Sequence, residues 1–315
     1  MRLVFMGTPN FAVPSLEALY QAKHDIVGVF TQPDRPAGRG RKLTSSPIKN
    51  TATNLGLPIY QPENIKEAPC LELISRLKPE AIVVVAYGQI LPKEILEYPR
   101  YGCINVHASL LPAYRGAAPI HWAVINGEKK TGVTTMLMDE GLDTGDILLA
   151  EEIEISELAT AGDIHDEMMN LGAQLLLKTL TGLEAGSLLP RKQPPGHSYA
   201  PPLKRKDEKI DWQREALTIH NRIRGLSPWP GAFTTFRGQI VKIWKSELCA
   251  NGLFPESCTV KPLPGQIVLR TEKALRVAAK EGLVDIFEVQ PAGKKRMSAL
   301  DFFNGQRIEI GELFI

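Results

Sequence analysis

Little in this chain of 315 residues suits cross-linking, membrane passage or a bound dinucleotide. Its four cysteines, Cys70, Cys103, Cys249 and Cys258, show no C-x-x-C spacing, which argues against a disulfide framework or a zinc site and leaves reduced thiols. The longest uninterrupted apolar run is AIVVVAY, residues 81–87, far short of the roughly 20 residues that span a bilayer. The opening MRLVFMGTPNF lacks a long apolar core and a small-residue cleavage site. It reads as a strand running into a turn rather than a signal peptide, and a cytoplasmic protein is expected. After that strand, GTPNFA offers one glycine where the G-x-G-x-x-G fingerprint needs three. Pyrophosphate could not come close to such a backbone, so NAD or FAD binding is not expected.

Net charge is also small, +2 at pH 7, but it is unevenly spread. Residues 1–190 carry 16 Lys and Arg against 22 Asp and Glu, whereas residues 191–315 carry 21 against 13. A basic second half suits a polyanionic partner, with a solvated surface as the plain alternative. The change of sign coincides with LPRKQPPGHSYAPPLKRKDEKIDW, residues 189–212, whose five prolines and excess cations have the composition of an extended linker. The expected organisation is therefore a domain over 1–189, a linker over 190–209 and a second domain over 210–315. In the first, β-branched runs such as RLVFMG, DIVGVF and AIVVVAY alternate with helical stretches. That alternation predicts an α/β fold, a Rossmann-like parallel sheet with helices on both faces. In the second, a helix over LTIHNRIRGL is followed by short, turn-punctuated strands, which predicts a small β-barrel of the OB-like type.

The stretch CINVHASLLPAYRGAAP, residues 103–119, carries chemistry. Side chains two apart on a strand share a face, so Asn105 and His107 aim at one spot while Ile104 and Val106 point away. In an open α/β sheet, ligands sit beyond the carboxyl ends of the strands, where this turn falls. A second polar stretch, MLMDEGLDTGDIL, places Asp139, Glu140, Asp143 and Asp146 among glycines in a loop that could fold back toward the strand ends. Its spacing is not that of a calcium loop, and no second histidine completes a metal triad with His107, so no metal is expected. Each residue also has a plain reading: Asn and Asp often close turns, and His121, on an amphipathic helix, is read as structural. Asn and His donors together can stabilise the oxyanion of an acyl transfer to an outside amine, with a carboxylate helping protons to move. Cys103 is offset from Asn105 by two residues without an identifiable base, which disfavours covalent catalysis.

INVHASLLPAYRGAAPIHWAVINGE, together with GVTTMLMDEGLDTGDIL, resembles the folate-dependent formyltransferases, and the likeness runs from FMGTPNFAVPSLEAL through QPDRPAGRGRKLTSSPIK to GLVDIFEVQPAGKKRM. The resemblance implies that Asn105, His107 and Asp143 are catalytic. It implies a folate pocket at Ser109, Leu110, Leu111 and Pro112 together with Ile90, Leu91 and Pro92. The donor it implies is 10-formyltetrahydrofolate, with no metal. The basic loop and the appended domain point to the tRNA-acting branch, whose acceptor is the α-amino group of methionine on initiator tRNA, used for translation initiation. Arg35, Arg39, Arg41 and Lys42 would then meet tRNA on a loop expected to be disordered without it, and a monomer is expected. Two other readings stay open: a formyltransferase or hydrolase acting on a small molecule, and an RNA-binding protein whose enzymatic half is inactive.

Overall fold

The computed structural model describes residues 1–37, 42–249 and 261–315, and the chain divides into two units. The first comprises Met1–Pro119, Thr131–Ile153 and His165–Ala200. The second comprises Ile120–Lys130, Glu154–Ile164 and Pro201–Ile315. Two short segments in the middle of the sequence thus belong with its last third.

The strands up to residue 154 are β1 (Arg2–Gly7), β2 (Asp25–Phe30), β3 (Arg35–Ala37), β4 (Lys42–Thr44), β5 (Ile59–Tyr60), β6 (Ala81–Val85), β7 (Cys103–His107), β8 (Lys130–Leu137) and β9 (Ile147–Glu154). The helices up to residue 184 are α1 (Val13–Gln21), α2 (Pro47–Asn54), α3 (Ala68–Leu77), α4 (Lys93–Leu96), α5 (Pro119–Ile125) and α6 (Ala161–Glu184). Seven strands form one sheet in the order β5-β2-β1-β6-β7-β8-β9. From β5 to β7 every pairing is parallel. The sheet is thus mainly parallel, as expected, and departs from that at β8, which runs antiparallel to β7, with His107 opposite Thr134 and Ile104 opposite Leu137.

Helices cover both faces. On one, Ile74 of α3 and Ile95 and Leu96 of α4 pack with Val4, Met6, Ile82, Val84 and Cys103. On the other, α6 lies so close to β7 that a Cβ on Gly172 would come within 2.9 Å of Val106 Cγ1. Thr179 of α6 also shares a 2.8 Å hydroxyl contact with Thr135 of β8. The continuous apolar run of β6 is buried throughout, as a strand covered on both sides must be. Among the described residues no helix is long and apolar enough to cross a membrane.

In the second unit α7 (Arg205–Glu208), α8 (Ala216–Gly225) and α9 (Ala299–Gln306) accompany β10 (Ala232–Phe236), β11 (Gln239–Leu248), β12 (Ile267–Arg270), β13 (Leu275–Ala278), β14 (Leu283–Pro291) and β15 (Met297–Ser298). The sheet order is β10-β11-β14-β13-β12, with antiparallel pairing throughout and β15 paired to β14. The segment 312–315 joins the two edges. Thr235 and Ile315 exchange backbone bonds of 2.9 and 2.8 Å on the β10 side, while Phe314 N donates to Gly265 O and Ile267 N to Glu312 O, both at 2.8 Å, on the β12 side. Closure covers both of these edges, which is how a small barrel avoids strand-to-strand aggregation. Phe314 enters the core, stacked on Trp212 at 6.0 Å and tilted against Phe236 at 5.5 Å.

Candidate active site

The two faces of β7 do different things. Val106 lies under α6, whereas Cys103, Asn105 and His107 alternate onto the opposite face. Cys103 sits at the buried end of that face, and burial pushes its thiol up to about 12. A thiol at that value is not a nucleophile near neutral pH. Asn105 is half-buried beside Val84, its partner on β6, and His107 is buried.

The turn after β7 fixes the imidazole. His107 Nε2 lies 3.0 Å from the Tyr114 carbonyl, and because a carbonyl only accepts, this nitrogen carries a proton and donates. The turn owes its shape to buried hydroxyls: Ser109 Oγ donates to Ala113 O at 2.6 Å, and Thr134 Oγ1 both donates to Ser109 O at 2.7 Å and accepts from Leu111 N at 3.1 Å. Ser109 and Leu111 are therefore interior, while Leu110 and Pro112 are partly exposed. Tyr114, at φ +58°, and Gly116, at φ +112°, reverse the chain, and a Cβ at 116 would lie 2.9 Å from Ala200 O.

Because β8 is antiparallel to β7, the loop 138–146 leaves at the amino end of β7 and folds back to bring Asp143 to Asn105 and His107. Asp143 Oδ2 accepts from Gly116 N at 2.8 Å and lies 3.7 Å from His107 Nδ1, and Asn105 Nδ2 donates to Oδ1 over 3.5 Å. The 3.7 Å separation exceeds a hydrogen bond, so the carboxylate acts on Nδ1 through its charge. Two of the other acidic side chains point elsewhere: Asp139 accepts from Gly141 N and Thr144 Oγ1, and Glu140 faces Lys93 at 3.7 Å.

Spacing did not reveal two further residues. Gln193 Nε2 donates to Asp143 O at 2.7 Å and to Gly145 O at 2.8 Å, and its Oε1 accepts from Arg115 Nε and Nη2 at 3.2 and 2.6 Å. Gln193 belongs to a stretch hydrogen-bonded along its length. Arg191 and Ile147 exchange backbone bonds, Arg115 N donates to Ser198 O, and Ala200 N donates to Arg115 O.

Ile90, Leu91 and Pro92 follow β6, which is parallel to β7, so they leave the sheet at the same edge as the 108–118 turn. Leu91 is buried and Ile90 is 75% exposed. Between α4 and the 138–146 loop lies a hollow of about 370 Å³ lined by Leu96, Met138, Gly141, Lys93, Glu97 and Glu140. With Asp139 the lining is mostly charged, and Leu96 and Met138 supply its apolar wall.

The basic stretch expected to be a loop disordered without tRNA is flanked by two paired strands, β3 and β4, with Arg35 opposite Thr44 and Ala37 opposite Lys42. Their base is tied by Asp34, which accepts from Lys49 Nζ at 2.6 Å, Gln61 Nε2 at 2.9 Å and Ser45 Oγ at 3.3 Å. The Lys49 and Gln61 donors hold the Asp34 carboxyl below its ordinary range. Arg39 and Arg41 lie outside the described residues, as does that part of the expectation of disorder.

Residues 1–180 match the family described as Formyl transferase, and residues 202–307 match Formyl transferase, C-terminal domain. A solved sugar 3N-formyl transferase, WlaRD, in the presence of dTDP and 5-N-formyl-THF, shares the fold with a TM-score of 0.66 and 20% identity, over 94% of this chain and 99% of that one. The class is thus that of one-carbon group transferases. The methionyl-tRNA formyltransferase of Pelotomaculum thermopropionicum is 54% identical over 97% of this chain and 96% of its own length. That of Alkaliphilus oremlandii is 50% identical over 99% of each. The chain belongs to the methionyl-tRNA formyltransferase family.

Proposed function

We propose that this enzyme moves a formyl group from 10-formyltetrahydrofolate to the α-amino group of methionine on initiator tRNA, as a cytoplasmic monomer. The observation that carries the reading is the meeting of Asn105, His107 and Asp143 at one point, in a chain whose relatives named for this reaction match it nearly end to end. The neutral amine attacks the formyl carbon. An α-amino group titrates near 7.7–8.0, so a usable neutral fraction exists at physiological pH. The tetrahedral oxyanion then accepts from Asn105 Nδ2 and from protonated His107 Nδ1, because the ring's other nitrogen is engaged with Tyr114. Asp143 stabilises the charged imidazole and helps the amine proton reach the folate nitrogen as its bond to the formyl carbon breaks.

The hollow beside α4 and the exposed Ile90 would receive the pterin. Arg35, Arg39, Arg41 and Lys42 would grip phosphates near the aminoacyl end, and the basic second unit would hold the tRNA body. The test offers the purified protein charged initiator tRNA, free methionine, a sugar nucleotide and water as formyl acceptors. Transfer confined to the charged tRNA supports the proposal, and preference for any other acceptor overturns it.

A further inference from the structure

Asp143 sits at φ +52°, in the left-handed region. Residues with a Cβ adopt it infrequently, Asp being among the more tolerant. Two kinds of bond hold Asp143. Its carboxylate accepts from Gly116 N, and its carbonyl, like that of Gly145, accepts from Gln193 Nε2.

A primary amide has two N–H donors, and Gln193 gives both to the 138–146 loop while its oxygen takes two bonds from the buried Arg115. Arg115 adjoins Gly116, so the guanidinium behind Gln193 and the N–H on the carboxylate come from consecutive residues. The bonds close a ring running from Arg115 through Gln193 to the Asp143 backbone and back from the Asp143 carboxylate to Gly116. The segment carrying Gln193 is itself paired to Ile147 and Arg115, and it falls between the two family matches, which end at 180 and resume at 202.

We infer that Gln193, backed by Arg115, is a positioning residue that sets Asp143 opposite Asn105 and His107; the inference rests on the reading of those three as the reacting group. A glutamate at 193 could still accept from Arg115, but it has no N–H to give the two carbonyls. Gln193→Glu therefore separates holding the segment in place from holding the loop. Misplacing a catalytic group by about 1 Å can cost about 10²-fold in rate.

The experiment measures formyl transfer to charged initiator tRNA, thermal midpoint and both KM values for wild type, Gln193→Glu, Asp143→Asn and the double variant. The expected result is a kcat about 10- to 100-fold lower for Gln193→Glu, with both KM values within about twofold and the midpoint kept. In the Asp143→Asn background the same change should cost less than about twofold more, as for residues acting through one group. Should Gln193→Glu fail to fold, Gln193→Leu, which removes the donors without adding charge, is put through the same measurements. A folded variant with unchanged kcat, or losses that multiply in the double variant, overturns the inference while leaving the functional reading standing. A wild-type protein that does not formylate the tRNA overturns the reading and the inference together.

Discussion

His107 in the first unit and His220 in the second are both buried, 6% and 3% exposed, yet their rings are used differently. His220 Nδ1 meets Ser246 Oγ at 3.1 Å and Nε2 meets Glu157 O at 3.1 Å, so both nitrogens are engaged within its own unit. Burial holds its pKa below the ordinary imidazole value. His107 has one nitrogen fixed by a carbonyl and the other facing a carboxylate 3.7 Å away. A satisfied, desolvated histidine is part of a core, whereas one held by a single nitrogen beside a carboxylate and an amide can exchange a proton with a substrate. Burial alone does not separate the two; the count of occupied nitrogens does.

The contrast breaks if changes around His107 alter stability rather than rate. Asn105→Ala should lower formyl-transfer turnover by about 10²-fold or more, the loss of one oxyanion donor. Asp143→Asn should lose most activity while folate still binds by calorimetry. Abolished folate binding would mean that the carboxylate holds the pterin instead.

Extending the contrast to binding, neutralising Arg39, Arg41 and Lys42 should weaken tRNA use and flatten its salt dependence by up to about one unit of log–log slope for each phosphate no longer neutralised, with folate binding unchanged. Kinetics that stay constant across a salt series would make this a solvated surface.

On the core side, His220→Gln should cost about 2 kcal/mol by leaving a buried partner unpaired, with turnover retained. The pH dependence gives a sharper reading. With the folded pKa lowered, the unfolded chain binds the proton more readily. Stability is then full above about pH 6.5 and falls as pH drops toward the folded value. Melting between about pH 7 and 5 should show that fall in wild type and less of it in His220→Gln.

The smallest effect belongs to Tyr87, whose buried hydroxyl has no partner among the described residues. Tyr87→Phe removes an unsatisfied group and should be neutral or stabilising by about 1 kcal/mol in denaturant melts. A clear loss would reveal a partner for that oxygen.

Strand pattern alone made Asn105 and His107 legible, whereas Asp143 was legible only through the family resemblance. Asn105 and His107 share a face because strand period is a backbone property, readable wherever a strand is recognised. Asp143 was one of four acidic residues in a loop. The resemblance to the formyltransferases picks it from the four; in the structure the bond from Gly116 N and the fold-back imposed by an antiparallel β8 set it apart, and strand direction is not written in a local pattern.

Gln193 lay in a proline-rich stretch that resembles a linker by composition, and its bonds to Asp143 and Arg115 reach 50 and 78 residues along the chain. The strand–helix alternation was sound for β1, β2, β6 and β7 but passed over α6, whose start is capped by reciprocal bonds between Thr160 and Asp163. The short strands of the second unit were readable, but its closure by residues 312–315 depends on two distant edges meeting.

The most direct measurement is the single-turnover rate of formyl transfer to charged initiator tRNA, taken side by side for His107→Ala and His220→Ala at a temperature where both are folded. The account predicts a loss of about 10²-fold or more for His107→Ala and a near-wild-type rate for His220→Ala. Comparable rates for the two variants, or the larger loss at His220, would contradict it.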